Sequence, residues 1–333
     1  MTAQAGPVPN GGGRVGVAER TRRLLRDRPL IPLTALLVLL VVLMQLAQPG
    51  VVTQNWVGST IRAAVPLAIL GAAQTLAMLT GGIDLSVGTV ASMAAFIMAT
   101  QTGQIGSGPA IALALLAALI AGTANGIGVG VFKVHPLIMT LGIGLVILGL
   151  MNVYQLMVVQ AGTNIPPIVD WLGSGTTLPW LPNNLFLFIP LAALIILGLR
   201  YSGFGRLLFA IGDNAVASRL AGVRVWQVNL ALYIISALLA AIAGMLIAGL
   251  VKTASLALVE SLVLPSVAAA VIGGTSIMGG RGGYSGTIIG ALILGVLTSL
   301  LIAVQMPEAV RQILFGAIIV VVAAVYTRIV DVG

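Results

Sequence analysis

Cysteine is absent from the 333 residues, and histidine occurs once, at His135. Thiol catalysis, thiolate-bound metals and disulfides are thereby excluded, and the redox compartment is left open. Charge is nearly absent as well. Charged side chains are 7% of the chain, against about 25% in a soluble globular protein. Sixteen Lys and Arg and eight Asp and Glu cannot solvate a surface on all sides. A cytosolic enzyme, a secreted disulfide domain and a disordered chain are excluded together, and one histidine with eight scattered carboxylates gives no basis for a metal-centred enzyme. What abounds is apolar: hydrophobic residues make up 59% of the chain, and the surrounding medium is lipid.

Runs free of Asp, Glu, Lys and Arg locate the spans: 29–61, 63–83, 85–132, 134–169, 171–199, 225–251, 261–280, 282–307 and 312–327. A bilayer core about 30 Å thick needs about 20 helical residues, so the run 85–132 holds two spans, broken at Gly106-Ser107-Gly108-Pro109. The runs lack the alternation of a membrane barrel. They predict an all-α polytopic membrane protein of about ten transmembrane or half-membrane helices, near 30–47, 61–80, 86–101, 109–131, 136–159, 183–199, 226–251, 262–274, 285–304 and 310–328. The third and eighth are short for full spans.

The formal charge of +8 would suggest nucleic acid in a soluble protein; here it reports topology. With both termini in the cytoplasm, the cytoplasmic segments hold Arg14, Arg20, Arg22, Arg23, Arg26, Arg28, Lys133, Arg200, Arg206, Arg219, Arg224, Arg281 and Arg328. Only Arg62, Lys252 and Arg311 fall outside, as the positive-inside rule demands. Residues 1–29 read as a basic cytoplasmic tail leading into an uncleaved first helix rather than as a signal peptide. Residues 160–182, rich in Pro with Trp171 and Trp180, read as an outer loop, either a plain interfacial anchor or a contact for an external partner.

Three stretches carry candidate function. In Thr80-Gly81-Gly82-Ile83-Asp84-Leu85-Ser86-Val87-Gly88, two glycines interrupt a helix before Asp84, the only carboxylate between Asp27 and Asp170. Asp84 or Ser86 either caps a broken helix pair or lies on a substrate path or gate. In Ile272–Thr287, seven of sixteen residues are Gly (including Gly273 and Gly274, which precede Thr275 and Ser276), giving a tight turn anchored by Arg281. Its G-x-G-x-x-G spacing lacks the preceding strand of a nucleotide site, and Gly283-Tyr284-Ser285-Gly286 lacks the neighbouring His an intramembrane serine protease needs. Gly81-Gly82 with Ser86 and Gly279-Gly280 with Ser285 also echo one another, as in a same-sense repeat or by coincidence.

The third stretch is the cytoplasmic loop 200–224. Asp213 or Asn214 is a good N-cap, Ala215 to Leu220 are helix-compatible, and Gly222 closes the end. A short helix results, with Val216, Leu220 and Val223 roughly on one side, either lying in the lipid interface or docking in a groove of a soluble partner.

Taken together and in this order, the segments Gly81–Gly88, Gly205–Gly222 and Gly273–Thr287, with Asn125-Gly126 and Pro136–Gly142, resemble the permease subunits of bacterial ABC importers for ribose, xylose, galactose and related sugars. The resemblance runs from about residue 30 to the end, making 30–333 the permease domain. It implies a multi-pass protein of the bacterial cytoplasmic (inner) membrane, not itself an enzyme and binding no cofactor. ATP and Mg would sit on a separate cytoplasmic ATP-binding subunit, an extracytoplasmic sugar-binding protein would deliver substrate, and a second permease copy, identical or related, would line the path. It also implies that the helix near Asp213 couples to the ATPase, through Gly205, Arg206, Gly212, Asp213, Asn214, Ala217, Arg219, Leu220 and Gly222. Gly81, Gly82, Asp84, Ser86, Asn125, Gly273, Gly274, Thr275 and Ser276 become gate or path candidates. The chain departs from the family at Val263-Leu264-Pro265-Ser266, where acidic residues are common and Glu260 lies slightly earlier. Relatives of this family carry autoinducer-type sugars, polyols or nucleosides, so the solute is not legible.

Two rival classes make different predictions. An ion-coupled transporter or channel would use Asp84 as its ion site; a scaffold would transport nothing. Gln74, Ser92, Asn125 and Asn152 are polar enough to touch a solute or to bridge helices.

Overall fold

The computed structural model describes residues 30–158 and 162–307 together with positions 309, 310, 312–314, 316, 317 and 320. The expected basic tail at 1–29 and most of the expected tenth helix, 310–328, lie outside them. In chain order the helices are α1 (Leu30–Ala47), α2 (Gln54–Leu79), α3 (Val87–Ile105), α4 (Ser107–Gly130), α5 (Pro136–Met157), α6 (Pro167–Ser174), α7 (Asn184–Tyr201), α8 (Gly203–Asp213), α9 (Ala215–Leu220), α10 (Val225–Val251), α11 (Val263–Ile272) and α12 (Tyr284–Ala303). A two-stranded antiparallel hairpin, β1 (Thr176–Leu178) and β2 (Leu181–Pro182), stands between α6 and α7. Among the described residues, seven helices are long and apolar enough to cross a membrane: α1, α2, α4, α5, α7, α10 and α12. The chain is an all-α polytopic membrane protein.

Lipid tails are as apolar as leucine, so helices associate in a bilayer through close packing rather than through escape from water. The centre of the bundle is accordingly built from small residues. On α4, Ala110, Ala114 and Ala118 are fully buried, and Gly122, Gly126 and Gly130 continue the same i, i+4 row. A Cβ on Gly122 would sit 2.6 Å from the Tyr233 carbonyl oxygen, and one on Gly130 2.8 Å from that of Trp226. The backbone of α4 therefore lies directly against α10, and these two helices form the most extensive contact in the molecule. Helices α2, α3 and α10 are buried on most sides, whereas α1 buries only Met44 and rests on α12. Leucines and isoleucines are exposed on α4, α5 and α7, as suits helices surrounded by lipid.

Several boundaries differ from the expected ones for local reasons. Helix α2 starts at Gln54 rather than 61 because the Thr53 hydroxyl caps it, accepting from Trp56 N–H at 3.2 Å. Helix α3 runs to Ile105 rather than 101; its polar last turn is held by Gln101, whose amide donates to the Tyr154 hydroxyl at 2.6 Å. The break before α4 falls at Gly106, φ +84°, as the sequence indicates. Helix α11 is as short as expected and ends at Gly273 and Gly274.

The described part of the expected outer loop, 162–182, contains α6 and the whole of the hairpin. Trp171 stacks on Phe186, centroids 5.8 Å apart, and Trp171 and Trp180 are each about half exposed, as suits an interfacial belt. Asp170 at this rim is held below the usual carboxylate range, first by the Ser174 hydroxyl at 2.6 Å and then by Lys252 at 3.4 Å. The loop 200–224 likewise contains a helix beyond the expected one. Helix α8 is an amphipathic element that buries Gly205, Leu208 and Ile211.

Candidate coupling and gating site

The first motif is a helix break stitched into the bundle. Helix α2 ends as Gly81 N–H donates to the Met78 carbonyl and Gly82 N–H to that of Ala77, with Gly81 at φ +78°. This left-handed closure suits glycine. The chain then turns inward and buries Asp84 to 1% exposure. Its Oδ1 accepts from the Ser86 N–H at 3.0 Å and the Ser86 hydroxyl at 2.6 Å; its Oδ2 accepts from the Ser236 hydroxyl of α10 at 2.6 Å. Gln74 of α2 grips the Asp84 backbone from both sides, donating to its carbonyl at 2.7 Å and accepting from its N–H at 3.3 Å. Asn125 of α4 donates to the Ser86 hydroxyl at 2.8 Å, and Thr140 of α5 accepts from Leu85 N–H at 3.1 Å. Asp84 is the only buried charged side chain among the described residues. Three donors meet the need that a carboxylate removed from water creates.

The second motif is the turn between α11 and α12. Gly274 takes φ +88°, Thr275 N–H returns to the Ala270 carbonyl, and Ser276 N–H closes the turn on the Arg281 carbonyl at 2.9 Å. The start of α12 is tied to α2 by Thr287 and Thr75, whose hydroxyls lie 2.7 Å apart, and by the Tyr284 hydroxyl, which donates to the Ala68 carbonyl.

The third motif carries two consecutive helices. Ser202 caps α8, accepting from Gly205 N–H at 3.0 Å. Asn214 caps α9, accepting from Val216 and Ala217 N–H at 3.0 and 2.9 Å. Of the two expected caps Asn214 takes the role, and Asp213 is the last residue of α8. Gly222, φ +85°, closes α9, and the Ser218 hydroxyl ties it to the Ala210 carbonyl of α8. Val216, Ala217, Arg219 and Leu220 point outward, Leu220 being 85% exposed. Gly205 is buried at the elbow between α7 and α8, and Arg206 is exposed, donating to the Tyr201 carbonyl.

All three motifs meet at one point. Gly280 N–H donates to the Leu79 carbonyl at 3.0 Å, joining the second motif to the end of α2. Gly212 of α8 lies on that bond so closely that a Cβ would strike both the Leu79 oxygen and the Gly280 amide. A Cβ on Gly279 would stand 3.0 Å from Gly81 N and from Gly212 Cα. The two echoing glycine turns thus touch each other and the root of α9. Among the gate candidates, Asp84, Ser86 and Asn125 form one hydrogen-bonded network; Gly273, Gly274, Thr275 and Ser276 are not members of it, and their turn adjoins it through the glycine contact and through the ties of α12 to α2.

Of the four polar residues considered for solute contact or helix bridging, Gln74, Ser92 and Asn125 bridge, whereas Asn152 donates back to Leu148 of its own helix. Sequence reasoning did not single out Ser236, although a lone serine amid the apolar stretch 234–251 was a usable signal. Among the described residues no group of three His, Cys, Asp or Glu could hold a metal.

A multi-pass bundle with paired glycine breaks and an appended surface helix is an architecture that a membrane permease can use. Residues 57–323 match the family described as "Branched-chain amino acid transport system / permease component", and the chain belongs to that family. It is 30% identical over 96% of its length to the probable ABC transporter permease protein YphD of Escherichia coli (strain K12), 95% of which is covered. It is 33% identical to the ribose import permease protein RbsC of the same strain, over 80% of this chain and 84% of that one. It is 34% identical to the galactofuranose transporter permease protein YtfT, again of Escherichia coli (strain K12), over 80% of this chain and 77% of that one. No solved structure matches the chain. As a multi-pass inner-membrane permease component it is not itself catalytic; ATP hydrolysis occurs in a separate subunit.

Proposed function

We propose that this permease imports a monosaccharide or a related polyhydroxyl solute by alternating access, driven by a cytoplasmic ATPase whose stroke is received at α9. On this reading both termini and the 200–224 segment face the cytoplasm, two copies of the chain or of a relative line the path, and an extracytoplasmic binding protein loads it. The observation that carries the reading is the contact of Gly212 with Leu79 and Gly280. A push on α9 passes through α8 into the two glycine turns without an intervening flexible side chain. The exposed Val216, Arg219 and Leu220 supply an apolar and cationic face suited to a groove on a partner. A neutral solute fits the interior: an amino acid zwitterion would need both its charges compensated in the membrane, and the one buried carboxylate among the described residues already accepts three hydrogen bonds. Relatives named for ribose and galactofuranose support the sugar class.

Reconstitution with the ATPase and binding protein tests this. Arg219→Glu and Asp213→Arg should leave ATP hydrolysis measurable while sugar uptake falls at least tenfold. Unchanged assembly and uptake in both variants would count against the lever. Uptake by the permease alone, driven by an ion gradient and lost in Asp84→Asn, would instead establish the ion-coupled alternative.

A further inference from the structure

On the same face as the glycine contact, a cleft of about 560 Å³ opens between the α4–α5 turn, the α8–α9 pair and the start of α10. That volume falls within the range of small-molecule sites, roughly 300–1,000 Å³. Its walls carry Lys133, Arg219, Arg224 and His135, with no carboxylate among the lining residues. Among the described residues the one ion pair is Asp170 with Lys252, at the opposite end of α10, so none of the cleft's cations is held in an ion pair. Lys133 holds its place in the left-handed region, φ +56°, a C-terminal closure where glycine is usual. The cleft also borders lipid-facing surface. Phe132 and Ile138, flanking the turn, are 73% and 64% exposed, and Trp226 in the wall is about half exposed, the placement of an interfacial aromatic.

From this conjunction we infer that the cleft binds the phosphate headgroup of an anionic membrane lipid, Lys133 and Arg224 gripping the phosphate while the acyl chains lie along the exposed sides of α4 and α5. The phosphate chemistry would suit a free anion equally. The lipid is favoured because the cleft meets apolar surface that an inorganic ion leaves uncovered. A bound headgroup would bridge the α4–α5 turn to the base of α9.

The test uses the purified full chain in a neutral detergent, titrated with dioleoylphosphatidylglycerol, dioleoylphosphatidylcholine or inorganic phosphate. Phosphatidylglycerol should bind and raise the thermal midpoint, and the neutral-headgroup lipid should not. Lys133→Gln and Arg224→Gln should each weaken binding about fivefold, and the pair about 25-fold. The charge-conserving Lys133→Arg with Arg224→Lys should keep most of it, separating charge from folding. Equal binding of the phosphatidylcholine overturns the proposal, as does unchanged affinity in the neutralised pair. Inorganic phosphate matching the lipid's effect would make the ligand a free anion. Loss of ATPase capture in the neutralised pair, with lipid binding intact, would make the cleft a protein-docking surface. Native mass spectrometry of the wild type is an independent reading: without enrichment of phosphatidylglycerol over phosphatidylethanolamine the proposal fails, whatever the variants do.

Discussion

At the scale of single residues, Asp84 shows how one side chain can hold a broken helix in place. Its hydrogen bonds to Ser86 and Ser236 connect the start of α3 to α10, and Gln74 fixes the backbone that presents it. Removing one donor leaves a buried carboxylate oxygen partly unsatisfied, which costs about 1–3 kcal/mol. Ser236→Ala should therefore lower the thermal unfolding midpoint measurably in detergent, while Asn152→Leu, on a lipid-facing surface and bonded only to its own helix, should leave it unchanged. Equal midpoints for both variants would contradict the stitching role. The sequence already marked Asp84 as exceptional by its isolation among apolar residues. It left capping and gating open because both need a carboxylate beside a glycine break, and the partners Ser236 and Asn125, distant in the chain, were not legible in it.

At the scale of elements, the positions of the spans were readable because charge is excluded from lipid, and α1, α4, α5, α10 and α12 fall close to where charge-free runs put them. Helices outside the bilayer do not obey that rule. Helix α8 was missed because Arg206 and the three glycines 203, 205 and 212 resemble a loop, although Phe204, Leu207, Leu208 and Ile211 already carry a helical period. The contact of Gly212 with Leu79 and Gly280 was beyond reach for a different reason. Glycine in a sequence signals a turn, a close approach or nothing, and the distinction depends on a neighbour far away in the chain. Gly212→Ala should accordingly cost about 1–3 kcal/mol from overpacking. Gly142→Ala, in α5 with open space around it, should be neutral or stabilising by roughly 0.5–1 kcal/mol. Thermal unfolding of the two alanine variants side by side checks the pair; a Gly212 variant as stable as the wild type would mean that α8 can shift away freely.

At the scale of the whole molecule, the uneven distribution of basic residues predicts an orientation, and the lack of cysteine makes that expectation directly measurable. A single cysteine at Leu220, exposed on α9, should react with an impermeant maleimide only from the cytoplasmic side. One at Thr177, exposed in the hairpin beyond α6, should react only from outside. The reverse pattern would invert the topology and remove the lever from the reach of any cytoplasmic motor.

The hydrogen bonds around Asp84 also divide the bundle into parts that travel together. Through Gln74, Ser86, Asn125 and Ser236 they rivet α2, α3, α4 and α10 into one chassis, and the small-residue seam between α4 and α10 stiffens it further. A conformational cycle that pulled this chassis apart would strand a carboxylate in hydrocarbon. On the proposed cycle, displacement would be taken up at its edges, where α11 and the glycine-rich turn into α12 lean on the chassis without a hydrogen bond to Asp84.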